Sequence, residues 1–204
     1  MNHLTKFTDF SAPFYDLYFK LWLWHETDFR QKVVDLMDLA GNESVLDVGC
    51  GTGTLALMIA DKMNGKGSIF GVDLSPKMIE VAKKKASRNG RQVKYKVASS
   101  LALPFSNENF DVVVTSLLYH HLMSLAEKAK TLSEIWRVLR PERRYIAAEF
   151  TKFTAANLTA THDSLIQKIP IFGPDLLEEH RFHIIKKVEI NKGISIISAE
   201  RAAI

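Results

Sequence analysis

Cysteine is almost missing from these 204 residues: Cys50 is the only one. A single thiol excludes an intrachain disulfide and any zinc site built on several cysteines. It fits a reducing compartment, so a cytoplasmic protein is expected. Long apolar runs are missing too. The greasiest stretch, LYFKLWLW at 17–24, is too short to span a bilayer and carries Lys20. Residues 1–10 lack the basic start and apolar run of a secretory signal. Neither sign of charge dominates, since 27 Lys and Arg against 23 Asp and Glu leave a formal +4. There is no arginine-rich arm or basic stripe interleaved with aromatics, so nothing calls for a nucleic-acid partner. No His, Asp or Glu cluster stands at ligand spacing, and no metal site is expected. Repeats, low-complexity segments and linkers are absent, and the length suits one domain with a substantial core.

What is present is an alternation of short β-branched runs with helical patterns, which argues for βαβ units around a parallel sheet. Strands are expected at 44–49, 68–73, 92–97, 110–116 and 144–150. A last pair, 182–190 and 194–200, reads as an antiparallel hairpin across Asn191-Lys192-Gly193. Helices are expected at 54–63, 76–88 and 125–139, the last stopped by Pro141. Ser75 and Pro76 are the N-cap and first-turn signals of the second helix. The run Lys83-Lys84-Lys85 falls in its last turns, where cations meet the carbonyl end of the helix dipole.

The most informative stretch is VLDVGCGTG at 45–53. Three glycines after a strand and before a helix let a ligand lie against bare backbone at the carboxyl edge of the sheet. From Gly51, GTGTLA satisfies the relaxed G-x-G-x-x-A dinucleotide fingerprint, and Asp73 follows 22 residues on, near where a ribose-binding acid is expected. Spacing alone therefore leaves NAD open. Asp47 tips the balance. A pyrophosphate wants bare N–H groups and a helix N-terminus, and a carboxylate at the same loop repels it. S-adenosylmethionine brings no phosphate but a sulfonium and an ammonium, which an acid there suits.

VLDVGCGTG resembles the first signature of the class I S-adenosylmethionine-dependent methyltransferases. GVDLSPKMIEVAKKKA (71–86), ALPF (102–105), FDVVVTSLLYHHL (110–122) and EIWRVLRP (134–141) follow in that family's order. The resemblance covers about residues 44–150 and is greatest to the small-molecule branch that includes the ubiquinone/menaquinone C-methyltransferases. It implies a Rossmann-like, doubly wound α/β sheet of seven strands, mostly parallel, with the C-terminal hairpin antiparallel. It also implies one domain over 1–204: a helical lid at 1–43, a cofactor core at 44–150, and an acceptor-side segment with the hairpin at 151–204. The implied activity is in-line methyl transfer to a small-molecule acceptor. A non-catalytic cofactor-binding protein of the same fold and an NAD(P)-dependent oxidoreductase are the alternatives.

Carried over by residue, the resemblance implies that Gly49, Cys50, Gly51 and Gly53 line the methionyl and ribose parts of the cofactor with Asp47. Asp73 would accept from the two ribose hydroxyls, and Leu74 would cover the adenine. Ser99 stands where relatives often carry an acid for the adenine amino group, with Ser100 and Leu101 beside it. Ser116 opens the SLLYHHL stretch facing the site, in which His120, His121 and Tyr119 are candidate general bases. Tyr15, in the aromatic segment 10–24, would contact the cofactor from the lid. A second departure is Pro141-Glu142-Arg143-Arg144, where the family's usual Pro-Gly-Gly makes a tight turn. Without the glycines this turn must differ or be strained.

Overall fold

The computed structural model describes residues 26–63, 65–150, 172–190 and 194–203. Tyr15, most of the expected lid, residues 151–171 and the hairpin turn 191–193 lie outside the described residues. In chain order the elements are α1 (Glu26–Leu36), β1 (Ser44–Val48), α2 (Thr54–Met63), β2 (Ser68–Asp73), α3 (Pro76–Arg88) and β3 (Lys94–Val97). β4 (Phe110–Ser116), a single 3-10 turn (Tyr119–His121), α4 (Leu125–Val138), β5 (Leu139–Phe150), α5 (Pro174–Glu179), β6 (Phe182–Ile190) and β7 (Ile194–Arg201) complete the chain.

The seven strands form one sheet in the order β3-β2-β1-β4-β5-β7-β6. The first five run parallel, and β7 pairs antiparallel with both β5 and β6. The order reverses between β1 and β4, so a crevice opens at their carboxyl ends. Alternation along each strand sends residues to two cores. Val45, Val112, Val114, Ile146 and Ala148 face α1, α2 and α3, while Leu46, Val113, Tyr145 and Ala147 face α4 and α5. Burial on both sides is why the parallel strands read as nearly continuous apolar runs.

Local chemistry sets the helix starts. The Ser75 Oγ accepts from the Met78 N–H at 3.1 Å, with Pro76 in the first turn of α3. α4 opens on a capping box: Ser124 Oγ accepts from the Glu127 N–H, and the Glu127 carboxylate accepts from the Ser124 N–H. The lysine run divides. Lys84 pairs with Glu80 at 2.7 Å, whereas Lys85 reaches the glycine loop and meets Thr54 Oγ1 at 2.8 Å and Thr52 Oγ1 at 3.2 Å.

β5 corrects the expected strand at 144–150. It begins at Leu139, pairs there with Phe110, and rejoins the ladder at Arg144 opposite Val112. The residues between form a bulge in place of a tight turn, and Glu142 in it takes φ +56°. Asp111 ties the bulge down by accepting from Arg140 at 2.6 Å and from the Ser44 N–H at 3.0 Å, with Arg143 at 3.7 Å. The buried Arg201 of β7 donates to the Leu139 carbonyl and holds Glu108 at 3.0 Å, its guanidinium lying 3.7 Å from the Trp136 ring centroid. This bulge sits at the amino edge of the sheet, away from the crevice.

Candidate functional site

The glycine loop is clamped to β2. The N–H groups of Gly49 and Cys50 donate to the Val72 carbonyl at 2.8 and 3.0 Å, and Gly53 N–H closes back on Cys50 O at 2.9 Å. Gly49, Gly51 and Gly53 all have positive φ. At Gly53 the reason is close packing: a Cβ there would stand 2.3 Å from the Tyr95 hydroxyl and 3.0 Å from Ala82 Cβ. At Gly51 a Cβ would meet nothing within 4 Å and would project into open space. Gly53 is thus a glycine for the fold, and Gly51 leaves room for something else.

The crevice is lined by Arg30 of α1, Asp47, Gly49, Gly51, Ser116 and Leu117, with Cys50 and Thr52 beside them. Asp47 is 1% exposed, and its Oδ2 has no hydrogen-bond partner among the described residues. Burial pushes this carboxyl from 3.8 up to about 7, with the Arg30 charge opposing and the Asp73 charge reinforcing the shift. A buried acid with an unpartnered oxygen costs free energy unless something arrives to pair with it. The Cys50 thiol, also buried, is held well above its ordinary value by burial and by the Asp47 and Asp73 charges, which makes it a poor nucleophile.

Asp73 ends β2 and joins the loop to α3. Its Oδ2 accepts from Gly51 N–H at 2.9 Å and its Oδ1 from Ser75 N–H at 2.8 Å. An ionised carboxylate oxygen has two lone pairs and can accept more than one hydrogen bond. Leu74 next to it is 54% exposed and Val97, at the end of the neighbouring β3, 47%, so two apolar side chains flank the crevice without cover. Ser99 Oγ accepts from Leu101 N–H at 3.2 Å, whereas Ser100 Oγ is turned to Thr131 of α4 at 3.1 Å.

After Ser116 the chain bends sharply. Leu117, a buried leucine, takes φ +55° and donates its N–H to the Ala148 carbonyl at 2.8 Å. That conformation is an outlier for a branched residue. It folds the 3-10 turn Tyr119–His121 over the carboxyl ends of β4 and β5. The three candidates there part company. The Tyr119 phenol is fully buried, stacks on Phe172 at 4.2 Å, and takes a hydrogen bond from the Tyr145 hydroxyl at 3.1 Å. Burial and these neighbours hold its pKa well above 10. His121 is exposed, 3.9 Å from the His120 ring. His120 is half-buried and meets Glu149 of β5, a residue the sequence reading missed, at 3.0 Å through Nδ1. Arg30 was missed as well. Neither lies in a recognisable motif: the packing of α1 brings Arg30 to the crevice, and the register of β4 against β5 brings Glu149 to His120.

A family model described as a methyltransferase domain matches residues 45–142. A demethylmenaquinone methyltransferase of Thermus thermophilus is 35% identical over 140 residues, 68% of this chain and 62% of that protein. The chain spans 60–62% of the length of this and the next curated relatives. Among solved structures, a SAM-dependent methyltransferase from Aquifex aeolicus superposes with a TM-score of 0.68 at 20% identity, over 85% of this chain and 89% of that one. The [4+2]-cyclase SpnF superposes with a TM-score of 0.68 at 19% identity, over 85% and 80%. Likeness at that identity shows the fold alone.

Proposed function

The chain belongs to the class I S-adenosylmethionine-dependent methyltransferases, and from that premise we propose that it transfers a methyl group from S-adenosylmethionine to a small-molecule acceptor. The observation that carries the reading is Asp47, buried beside a glycine loop, with its Oδ2 unpartnered among the described residues. A dinucleotide pyrophosphate would meet repulsion there; an ammonium group would satisfy the acid and favour its charged form. Asp47 would face the amino group of the methionyl part and Arg30 its carboxylate. The Asp73 oxygens would accept from the ribose diol, and Leu74 and Val97 would cover the faces of the adenine. Ser99 would be a weaker acceptor for the adenine amino group than an acid. When bound, the cofactor supplies an activated methyl group on sulfur, whose departure leaves a neutral thioether. The task left to the protein is alignment of the acceptor and exclusion of water, which can supply about 7–11 kcal/mol.

The fold alone does not choose the reaction, since a [4+2]-cyclase shares it. The test is transfer of label from methyl-labelled S-adenosylmethionine to a panel of small hydroxylated arenes, amines and thiols. Label recovered in one class supports the reading. Tight cofactor binding with no transfer to any of them would leave a binding protein instead.

A further inference from the structure

From the contacts of Lys85, we propose that this residue of α3 acts through Thr52 and Thr54 to position the crevice for a ligand that carries a carboxylate. In this role it makes the site favour the whole zwitterionic amino-acid end of the cofactor over the nucleoside alone. The inference rests on the methyltransferase reading above. Three lysines follow one another at 83–85, and their side chains part. Lys83 is exposed, and Lys84 pairs with Glu80 at 2.7 Å in solvent. Lys85 is half-buried and turns to the glycine loop, its Nζ donating to Thr54 Oγ1 at 2.8 Å and to Thr52 Oγ1 at 3.2 Å. An ammonium has donors only, so both hydroxyl oxygens accept from it.

The packing that brings Lys85 there is local. Ala82, fully buried, lies one turn earlier on α3, and a Cβ at Gly53 would stand 3.0 Å from its own. That small side chain lets α3 lie close against the loop. Residues three apart share a helix face, so Lys85 reaches the loop as well. Thr54 is the first residue of α2, and Thr52 stands between Gly51 and Gly53. Lys85 belongs to the last turn of its own helix, where a cation is favoured. Its ammonium, however, is delivered to the amino end of α2, where the dipole already favours an anion. Ammonium and helix end add in the same sense, toward a negative group.

Both threonines line the crevice together with Arg30 and Asp47. Asp47 points independently to a ligand of the opposite charge, being 1% exposed with its Oδ2 unpartnered among the described residues. The lining thus holds both signs: Arg30 and the threonines backed by Lys85, and against them Asp47. A nucleoside carries neither charge. An α-amino-acid end carries both, an ammonium for the acid and a carboxylate for the cations. Lys85 is a positioning residue in this arrangement. It holds Thr52 and Thr54 in place and adds its charge behind them, so its contribution falls on the carboxylate of the ligand and not on the nucleoside.

Calorimetric titration with three probes tests this. S-adenosylhomocysteine carries both charges, its decarboxylated analogue keeps only the ammonium, and 5′-methylthioadenosine has neither. Lys85→Met should weaken S-adenosylhomocysteine binding about 3- to 30-fold, the range for one partly buried charge at a helix end. It should leave the affinities of the other two probes unchanged, which also shows that the variant is folded. Lys85→Arg keeps the charge and should recover most of the loss. Thr54→Val should weaken S-adenosylhomocysteine too, and adding Lys85→Met to it should cost less than Lys85→Met costs alone, because the two side chains act together. An equal loss for all three probes would overturn the proposal, since Lys85 would then support the loop without any say in which ligand it takes. An unchanged S-adenosylhomocysteine affinity in Lys85→Met would overturn it as well. A wild-type protein that binds none of the three would instead count against the methyltransferase reading.

Discussion

Replacing Asp47 by asparagine takes an ionisable group out of the interior while keeping its shape. In the folded protein burial raises the carboxyl to about 7 from 3.8, against the pull of Arg30. A folded-state value above the unfolded one means that the folded protein holds the proton more tightly. The stability tied to that proton is therefore fully present below about pH 4 and is lost as the pH rises to 7. At about 1.4 kcal/mol per pKa unit, the ionised group costs the fold about 4 kcal/mol above pH 7. Because Asp47 is 1% exposed, solvent does little to screen that cost. The amide of the Asp47→Asn variant cannot ionise. Urea unfolding curves of the two proteins should nearly coincide at pH 4 and separate steadily up to pH 8. There the variant midpoint should lie about 1–2 M higher, for a slope of about 2–3 kcal/mol per M. The same substitution should abolish S-adenosylhomocysteine binding. Wild-type binding should release about half a proton per site at pH 7, read from calorimetry in buffers of different ionisation enthalpy. Identical midpoints at pH 8, or a gap of equal size at pH 4 and pH 8, would refute the ionisation argument.

Three further outcomes are expected. Glu142→Gly should raise stability by about 0.5–1 kcal/mol, because leaving the left-handed region strained costs about 1–2 kcal/mol and glycine gives back part as chain entropy. Thermal unfolding should rise by about 1–4 °C, and Glu142→Ala should show no such gain. Gly53→Ala should destabilise by roughly 2–5 kcal/mol, from the left-handed backbone and the clash with Tyr95, as denaturant unfolding would read. Asp73→Ala should loosen the glycine loop, since Gly51 and Ser75 lose their acceptors. Faster amide exchange at Gly51 would check it.

Most of the sheet was legible because its strands are short, β-branched and bounded by glycine, proline or capping residues. Strands 68–73 and 110–116 and helices 54–63 and 76–88 occur with the expected bounds. β3 begins two residues later than expected, at Lys94, and α4 ends at Val138. The start of β5 was hidden because Pro141 and three charged residues read as a turn. What makes 139–143 part of the strand is non-local: Phe110 opposite Leu139, Asp111 gripping Arg140, and Arg201 reaching the Leu139 carbonyl. The site divides in the same way. Asp47, Gly51 and Asp73 announce themselves by position in a strand–loop–helix unit. Glu149 reads as one acid in a strand, and only the register of β4 against β5 brings it to His120. Tyr119 and His120 are neighbours in sequence, yet the left-handed Leu117 sends one into the core and the other to the rim.

The central claim is that the crevice between β1, β2 and β4 holds S-adenosylmethionine and not a dinucleotide. The measurement that tests it most directly is calorimetric titration of the protein with S-adenosylhomocysteine and with NAD, each repeated on Asp73→Ala. The account predicts micromolar S-adenosylhomocysteine binding, lost in the variant, and no heat from NAD. Binding of NAD with silence from S-adenosylhomocysteine would contradict it.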